Sequence, residues 1–177
     1  AKKSEIIKQV GAYKGTNIVV MVGGNNKRYR VSSNLLENVS KQITDYADKK
    51  NARLLIIPSR RTPKQALRHF AEYNAGGKHY FWNNEGANPY PNIMSLADEI
   101  IVTSDSVNMV TEACLFGKPV YIADWESERG RLGHFHSIMQ SAGYTKPLAS
   151  ASDEFMPKPL DQMPDIAAQI RTKLNIN

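Results

Sequence analysis

The sequence predicts a doubly wound α/β domain on a mostly parallel sheet, and three observations carry that prediction. Short apolar runs alternate with stretches whose apolar residues recur at helical spacing, which gives about five strands. The run from 99 to 123, EIIVTSDSVNMVTEACLFGKPVYIA, holds a strand, a turn, a helix and a second strand, a right-handed crossover written in one dimension. Polar turns follow three of the strands, at Gly23 and Gly24, at residues 59–62 and at residues 103–106. In such a sheet, ligands sit beyond the carboxyl ends of the strands where the strand order reverses.

With 177 residues, 41% of them apolar, the chain can form one domain with a substantial core. No run of eighteen apolar residues occurs, and the start, AKKSEIIKQV, lacks the apolar segment of a signal peptide. The expectation is a soluble, cytoplasmic chain without a transmembrane segment. A net charge of +6 suits an acidic ligand, a peripheral contact with an anionic membrane, or nucleic acid, and does not choose among them. Beginning at Ala1 without a Met, the chain also reads as a piece of something longer. The single Cys114 permits no internal disulfide and, in an apolar helix, reads as a small core residue.

Taken in order, residues 1–15 are a weakly helical lead-in or linker, and residues 16–177 form the domain. The first strand, residues 17–22, runs into Gly23, Gly24, Asn25, Asn26, Lys27, Arg28, Tyr29 and Arg30. Ser32 or Ser33 then caps a helix to Lys50 with Leu36, Val39, Ile43 and Tyr46 or Ala47 on its buried face. Residues 53–57 are a second strand closed by Pro58. Thr62 is expected to cap the next helix, with Pro63 at its first position and its end near Tyr73. Residues 79–82 form a short third strand, 83–91 an unusual loop, and 91–97 a short helix. The crossover places strands at 100–102 and 120–123 around a helix at 107–116 that Gly117 stops. A polar loop follows, in which Trp125, Glu126 and Glu128 are either a lid or plain exposed residues. Next come a helix at 132–142, an extended connection at 146–164, and an amphipathic terminal helix at 165–174.

If the first and fourth strands flank the reversal point, three loops converge there. Gly23 and Gly24 admit close backbone approach, with Asn26 beside them, while Arg28, Arg30, Arg60 and Arg61 supply planar cationic forks. The turn Ser104, Asp105 and Ser106 opens a helix whose first N–H groups, at Ser106, Val107 and Asn108, favour an anion. Such a set fits a diphosphate. Asp105 is out of place beside an anion and reads instead as a helix cap or a ribose contact. Glu112, further along the helix, is placed to accept from a ribose. Glu85, in a loop tied by Pro89 and Pro91, is the candidate general base, against an equal reading as an ordered surface turn. His134 and His136, two apart on a helix, point in different directions, and no zinc spacing or nucleophile motif occurs.

The run TSDSVNMVTEACLFGKPVYIA resembles the nucleotide-binding helix in the second domain of B-fold glycosyltransferases and sugar-nucleotide 2-epimerases. GGNNKRYR, SRRTP, NEGANPYP, TSDSVNMVTEA and GKPVY, in that order, resemble the mitochondrial fission family, the plant elongated-mitochondria factor and its bacterial relatives labelled predicted nucleoside-diphosphate-sugar epimerases. The resemblance implies a Rossmann-like carboxy-terminal domain, an amino-terminal domain not in this chain, and a nucleotide sugar or nucleoside diphosphate as ligand rather than a resident cofactor or metal. It also places Ser106 and Glu112 where diphosphate and ribose are touched. Val107 and Asn108 depart from the small residues usual after that serine. The full-length protein would then be a glycosyltransferase or epimerase, inactive as this half alone, with direct displacement at the sugar carbon. A non-catalytic scaffold is the alternative. Nucleic-acid binding by the basic loops is the third reading, and no nucleic-acid motif supports it.

Overall fold

The computed structural model describes residues 7–8, 10–25, 31–125, 130–152, 155–157 and 160. Its centre is a six-stranded, all-parallel sheet of strands β1 (Asn17–Val22), β2 (Arg53–Pro58), β3 (Tyr80–Phe81), β4 (Glu99–Thr103), β5 (Val120–Ala123) and β6 (Lys146–Pro147), in the order β3-β2-β1-β4-β5-β6. The chain steps outward from β1 to β3, returns to the centre, and steps outward the other way from β4 to β6. The reversal therefore falls between β1 and β4, the arrangement under which the three loops converge.

The connections are helices α1 (Ser33–Lys49), α2 (Lys64–Tyr73), α3 (Tyr90–Ile93), α4 (Val107–Cys114) and α5 (Gly130–Ser141). Because every strand of a parallel sheet is covered on both faces, alternate residues serve two cores. Ile18, Val20 and Val22 of β1 pack with Leu36, Val39 and Ile43 of α1 and Phe70 of α2. Val19 and Met21 pack on the other face with Ile93, Val110, Cys114 and Met139. Burial pushes the Cys114 thiol up to about 12, so it stays protonated and acts as a core residue.

Two expectations change. Lys146 and Pro147 pair with Tyr121 and Ile122 as a sixth strand instead of an extended connection; two residues carry no periodicity, and an edge position tolerates proline. Thr62 does not cap α2, whose N-cap is Pro63 with no side-chain bond. The threonine hydroxyl instead lies 2.7 Å from both Val22 O and Gly23 O, joining two loops. The lead-in is held at its end: Arg53 Nη1 donates to Val10 O and Gly11 O, and its guanidinium sits 4.8 Å from the Tyr13 ring centroid. Asn26, Arg28, Arg30, Glu126, Glu128 and the helix expected at 165–174 lie outside the described residues.

Candidate functional site

The three loops do meet, and a buried carboxylate joins them. Asp105, whose side chain has no solvent exposure, accepts from Gly24 N at 2.9 Å and from Thr103 Oγ1 at 2.7 Å. Thr103 Oγ1 in turn accepts from Gly23 N at 2.8 Å, and Arg61 Nη2 lies 3.6 Å from Asp105 Oδ2. The loops approach so closely that a Cβ on Gly23 would lie 2.1 Å from Asp105 Oδ1, and one on Gly24 would lie 2.0 Å from Arg61 O. Both glycines are therefore demanded by packing between loops, and their N–H groups go to Thr103 and Asp105 instead of remaining free for a phosphate. Asp105 is neither a helix cap nor an open ligand contact.

Ser104 is likewise inside. It is fully buried; its hydroxyl donates to Asp124 Oδ1 at 3.0 Å and accepts from Trp125 N at 2.9 Å. His136, also buried, donates from Nε2 to Ser104 O at 2.7 Å, which fixes the protonated nitrogen, while His134 is exposed. Trp125 is buried, not part of an exposed lid. Ser106 caps α4, accepting from Met109 N at 3.4 Å, and Val107 and Asn108 beside it are exposed. The helix terminus is thus open to solvent at its first turn.

One turn further along α4 a cleft of about 490 Å3 opens. Its floor is Met21 and Ile57 at the ends of β1 and β2, its walls are Arg60, Trp82, Tyr90, Met109 and Glu112, and Asn84, Gly86 and Asn88 rim it. A second hollow, of about 470 Å3, lies between α1 and residues 148–152, towards the start of β4. Only the first lies where the strand order reverses.

The segment from 82 to 90 holds itself in place. Trp82 N donates to Ile56 O, continuing the sheet, and Trp82 Nε1 donates to Glu85 O at 2.8 Å. Glu85 N donates to Asn83 Oδ1 and Tyr90 N to Asn88 Oδ1, while Asn84 and Gly86 take left-handed backbone at φ 66° and 74°. The Glu85 carboxylate accepts from Asn83 Nδ2 at 2.8 Å, is exposed, and does not line the cleft, so its geometry is that of the surface turn. At the far end Tyr90 Oη donates to Glu112 Oε2 at 3.2 Å. Burial, with the Glu112 charge next, raises the Tyr90 phenol above its ordinary value, so it remains a donor.

Of the residues read from the sequence, Arg60 and Glu112 line the cleft; Gly23, Gly24, Asp105 and Arg61 form the clasp that joins the three loops; Ser104 is buried against Asp124 and Trp125; Ser106, Val107 and Asn108 lie one turn away. Trp82 and Tyr90 were not legible as site residues, although two aromatics bracketing a loop rich in Asn, Gly and Pro after a strand are a usable signal. Among the described residues, no group of three His, Cys, Asp or Glu side chains is placed to hold a metal, and no helix is long and apolar enough to cross a membrane.

An all-parallel sheet in this order, with an aromatic-walled cleft at its reversal point, defines a Rossmann-like domain of the kind that makes up half of a B-fold protein. Among solved structures, a UDP-GlcNAc 2-epimerase from Methanocaldococcus jannaschii matches with a TM-score of 0.64 at 12% identity, over 96% of this chain and 49% of that one. The S. aureus MnaA-UDP co-structure matches with a TM-score of 0.60 at 16% identity, over 99% of this chain and 49% of that one. At such identities the likeness is one of fold. The profile of the family described as Mitochondrial fission ELM1 matches residues 1–174, and the chain belongs to that family. It is 28% identical to the Mitochondrial fission protein ELM1 of Arabidopsis thaliana and 27% identical to the uncharacterized protein RP120 of Rickettsia prowazekii (strain Madrid E), each over 89% of this chain. It spans only 38% and 47% of those relatives' lengths.

Proposed function

We propose that this domain binds the nucleoside diphosphate portion of a nucleotide sugar in the cleft between α4 and the segment after β3. The observation that carries the reading is a pair of opposite charges in a cleft whose lining is otherwise mostly apolar and aromatic. A guanidinium, Arg60, follows β2, a carboxylate, Glu112, comes from α4, and the aromatic Trp82 and Tyr90 line the same cleft. A diphosphate needs the first, a sugar hydroxyl donates to the second, and a base stacks on the aromatic pair. The exposed first turn of α4 adds an anion-favouring terminus one turn away. The bound nucleotide named for S. aureus MnaA and the substrate in the name of the archaeal epimerase agree with this ligand class.

The domain alone is expected to bind weakly and turn over nothing, because the chain spans half or less of its relatives and an acceptor would come from a preceding domain. In the two-domain protein, Arg60 and the α4 terminus would stabilise the charge that develops on the diphosphate as the sugar carbon is attacked. The test is a calorimetric screen against nucleoside diphosphates, nucleotide sugars and a short single-stranded oligonucleotide at two salt concentrations. Saturable binding of one diphosphate that competes with its sugar conjugate supports the reading. Binding of the oligonucleotide alone, falling steeply with salt, assigns the basic loops to nucleic acid instead. No binding to this domain or to the two-domain protein assigns it to a scaffold.

A further inference from the structure

The two ends of the parallel sheet differ in what their turns expose. The turns that leave the strands build the clasp and the cleft. Those that enter them, at residues 11–16, 50–52, 74–79, 97–98, 115–119 and 142–145, lie at the opposite end because every strand runs the same way. Among these described residues the charged side chains are Lys14, Lys50, Lys78 and Lys118 against one carboxylate, Asp98. Lys50 pairs with Glu99, and Asp98 accepts from Asn17 N at 2.8 Å. Lys14 and Lys118 are exposed, and Lys78 is partly so, reaching Asn51 Oδ1 at 3.0 Å. The turn into β5 also carries two adjacent large apolar side chains in solvent, Leu115 at 57% and Phe116 at 41% exposure. Helix α4 ends at the buried Cys114, after which Leu115 N donates to Glu112 O and Phe116 N to Ala113 O; this tightened turn carries both away from the core before Gly117, at φ 60°, turns the chain.

An exposed aliphatic and aromatic pair at a turn, with lysines in the turns of β1, β3 and β5 across about 20 Å of sheet, has the chemistry of a lipid interface. Apolar side chains enter the boundary between headgroups and acyl chains, and lysines meet anionic headgroups while their stems lie along apolar surface. We infer that this end of the domain is a peripheral contact for an anionic lipid surface, with Leu115 and Phe116 as the inserted tip and Lys14, Lys78 and Lys118 as its charged rim. The two parts act together, since two side chains bury little area and exposed lysines are screened by salt. A bilayer held here leaves the cleft, at the other end of the sheet, facing solution. The contact does not depend on what the cleft binds.

The experiment is co-flotation of the protein with vesicles of phosphatidylcholine alone and of phosphatidylcholine mixed with phosphatidylserine, at low and at physiological salt. Wild type is compared with Leu115→Ser plus Phe116→Ser, and with Lys14→Gln, Lys78→Gln and Lys118→Gln combined. These positions are at least partly exposed, and thermal melts check that each variant keeps the fold. Wild type should bind the mixed vesicles about tenfold more tightly than phosphatidylcholine, each set of substitutions should weaken that binding by about tenfold, and added salt should weaken it as well. In Phe116→Trp, bromine-labelled lipid should quench the added indole, while Trp82 and Trp125 of wild type stay unquenched. No binding to the mixed vesicles overturns the inference. So does binding that the double serine variant retains in full, which is charge attraction without a tip. Self-association of wild type that the double serine variant loses, with vesicles unbound by either, assigns the pair to a second copy of the chain and overturns the inference too.

Discussion

The clasp at the β1 and β4 turns and the cleft wall formed by residues 82–90 with Glu112 of α4 are made from the same residue types, Gly, Asn, Asp or Glu, and hydroxyls. Their carboxylates have opposite fates. Asp105 has no exposed side-chain surface and three partners from three loops, whereas Glu112 is exposed, lines a cleft, and accepts from the Tyr90 hydroxyl. The first holds the ends of β1, β2 and β4 together; the second stands on the surface of the cleft. Polar residues after a parallel strand thus divide into those that build the crevice and those that face into it, and burial decides which is which.

Breaking the clasp should have the largest effect. Asp105→Ala orphans two buried donors, Gly24 N and Thr103 Oγ1, and should cost about 2–4 kcal/mol, or roughly 5–15 °C in thermal midpoint. Glu112→Ala, on the exposed wall, should move the midpoint by no more than about 2 °C. Comparable losses in the two melts would erase the distinction between the regions.

Arg60→Ala sharpens it from the ligand side. Its guanidinium is exposed in the cleft, so the variant should weaken a nucleoside diphosphate by about tenfold and leave an uncharged nucleoside unaffected, with the melt unchanged. Titration calorimetry on the two ligands checks this, and equal loss for both would deny Arg60 a phosphate role.

Away from both regions, towards the amino end of β2, a histidine should give the fold a pH dependence. His79, just before β3, accepts from Leu54 N at 3.0 Å through Nδ1 and stacks on Tyr73 with centroids 4.5 Å apart. Burial, then the neighbouring Lys78 and Arg53, hold its value below the usual 6.5, with Asp48 opposing them. The unfolded chain therefore takes up the proton first, so the stabilisation is complete above about pH 6.5 and is lost as the pH falls through the lower folded value. In melts from pH 7.5 downwards, His79→Gln, which can still accept from Leu54 N, should lose less stability than wild type. Parallel curves would show that His79 does not titrate there.

The smallest effect belongs to the boundary between the regions. Ser106→Ala removes the α4 cap, whose bond is long at 3.4 Å, and should cost about 0.5–1 kcal/mol in a denaturant titration. A loss above about 2 kcal/mol would place Ser106 with the clasp.

The fold was legible because its signals are long: NIVVMV, RLLII, EIIV and VYIA are continuous apolar runs, and each is a parallel strand covered on both faces. Lys146 and Pro147 were not, since two residues at a sheet edge leave no pattern. In the site, Arg60 and Glu112 were readable as charges at the ends of elements. Asp105 and Ser104 were misplaced because sequence gives residue type and position along the strand, whereas burial depends on how tightly Gly23 and Gly24 let the neighbouring loop approach. Trp82 and Tyr90 were missed because a loop stiffened by its own Asn side chains looks like any polar turn until its ends are placed beside α4.

The most direct test of the cleft uses the two tryptophans of the chain, Trp82 in the cleft wall and Trp125 buried beneath the turn after β5. Nucleoside diphosphate is titrated while tryptophan fluorescence is followed in wild type and in Trp82→Phe, where Trp125 alone emits. A saturable change in wild type that disappears in Trp82→Phe, with calorimetric binding retained, places the nucleotide against the 82–90 wall. A change of the same size in Trp82→Phe, or calorimetric binding with no change in wild type, would place it elsewhere and contradict the assignment.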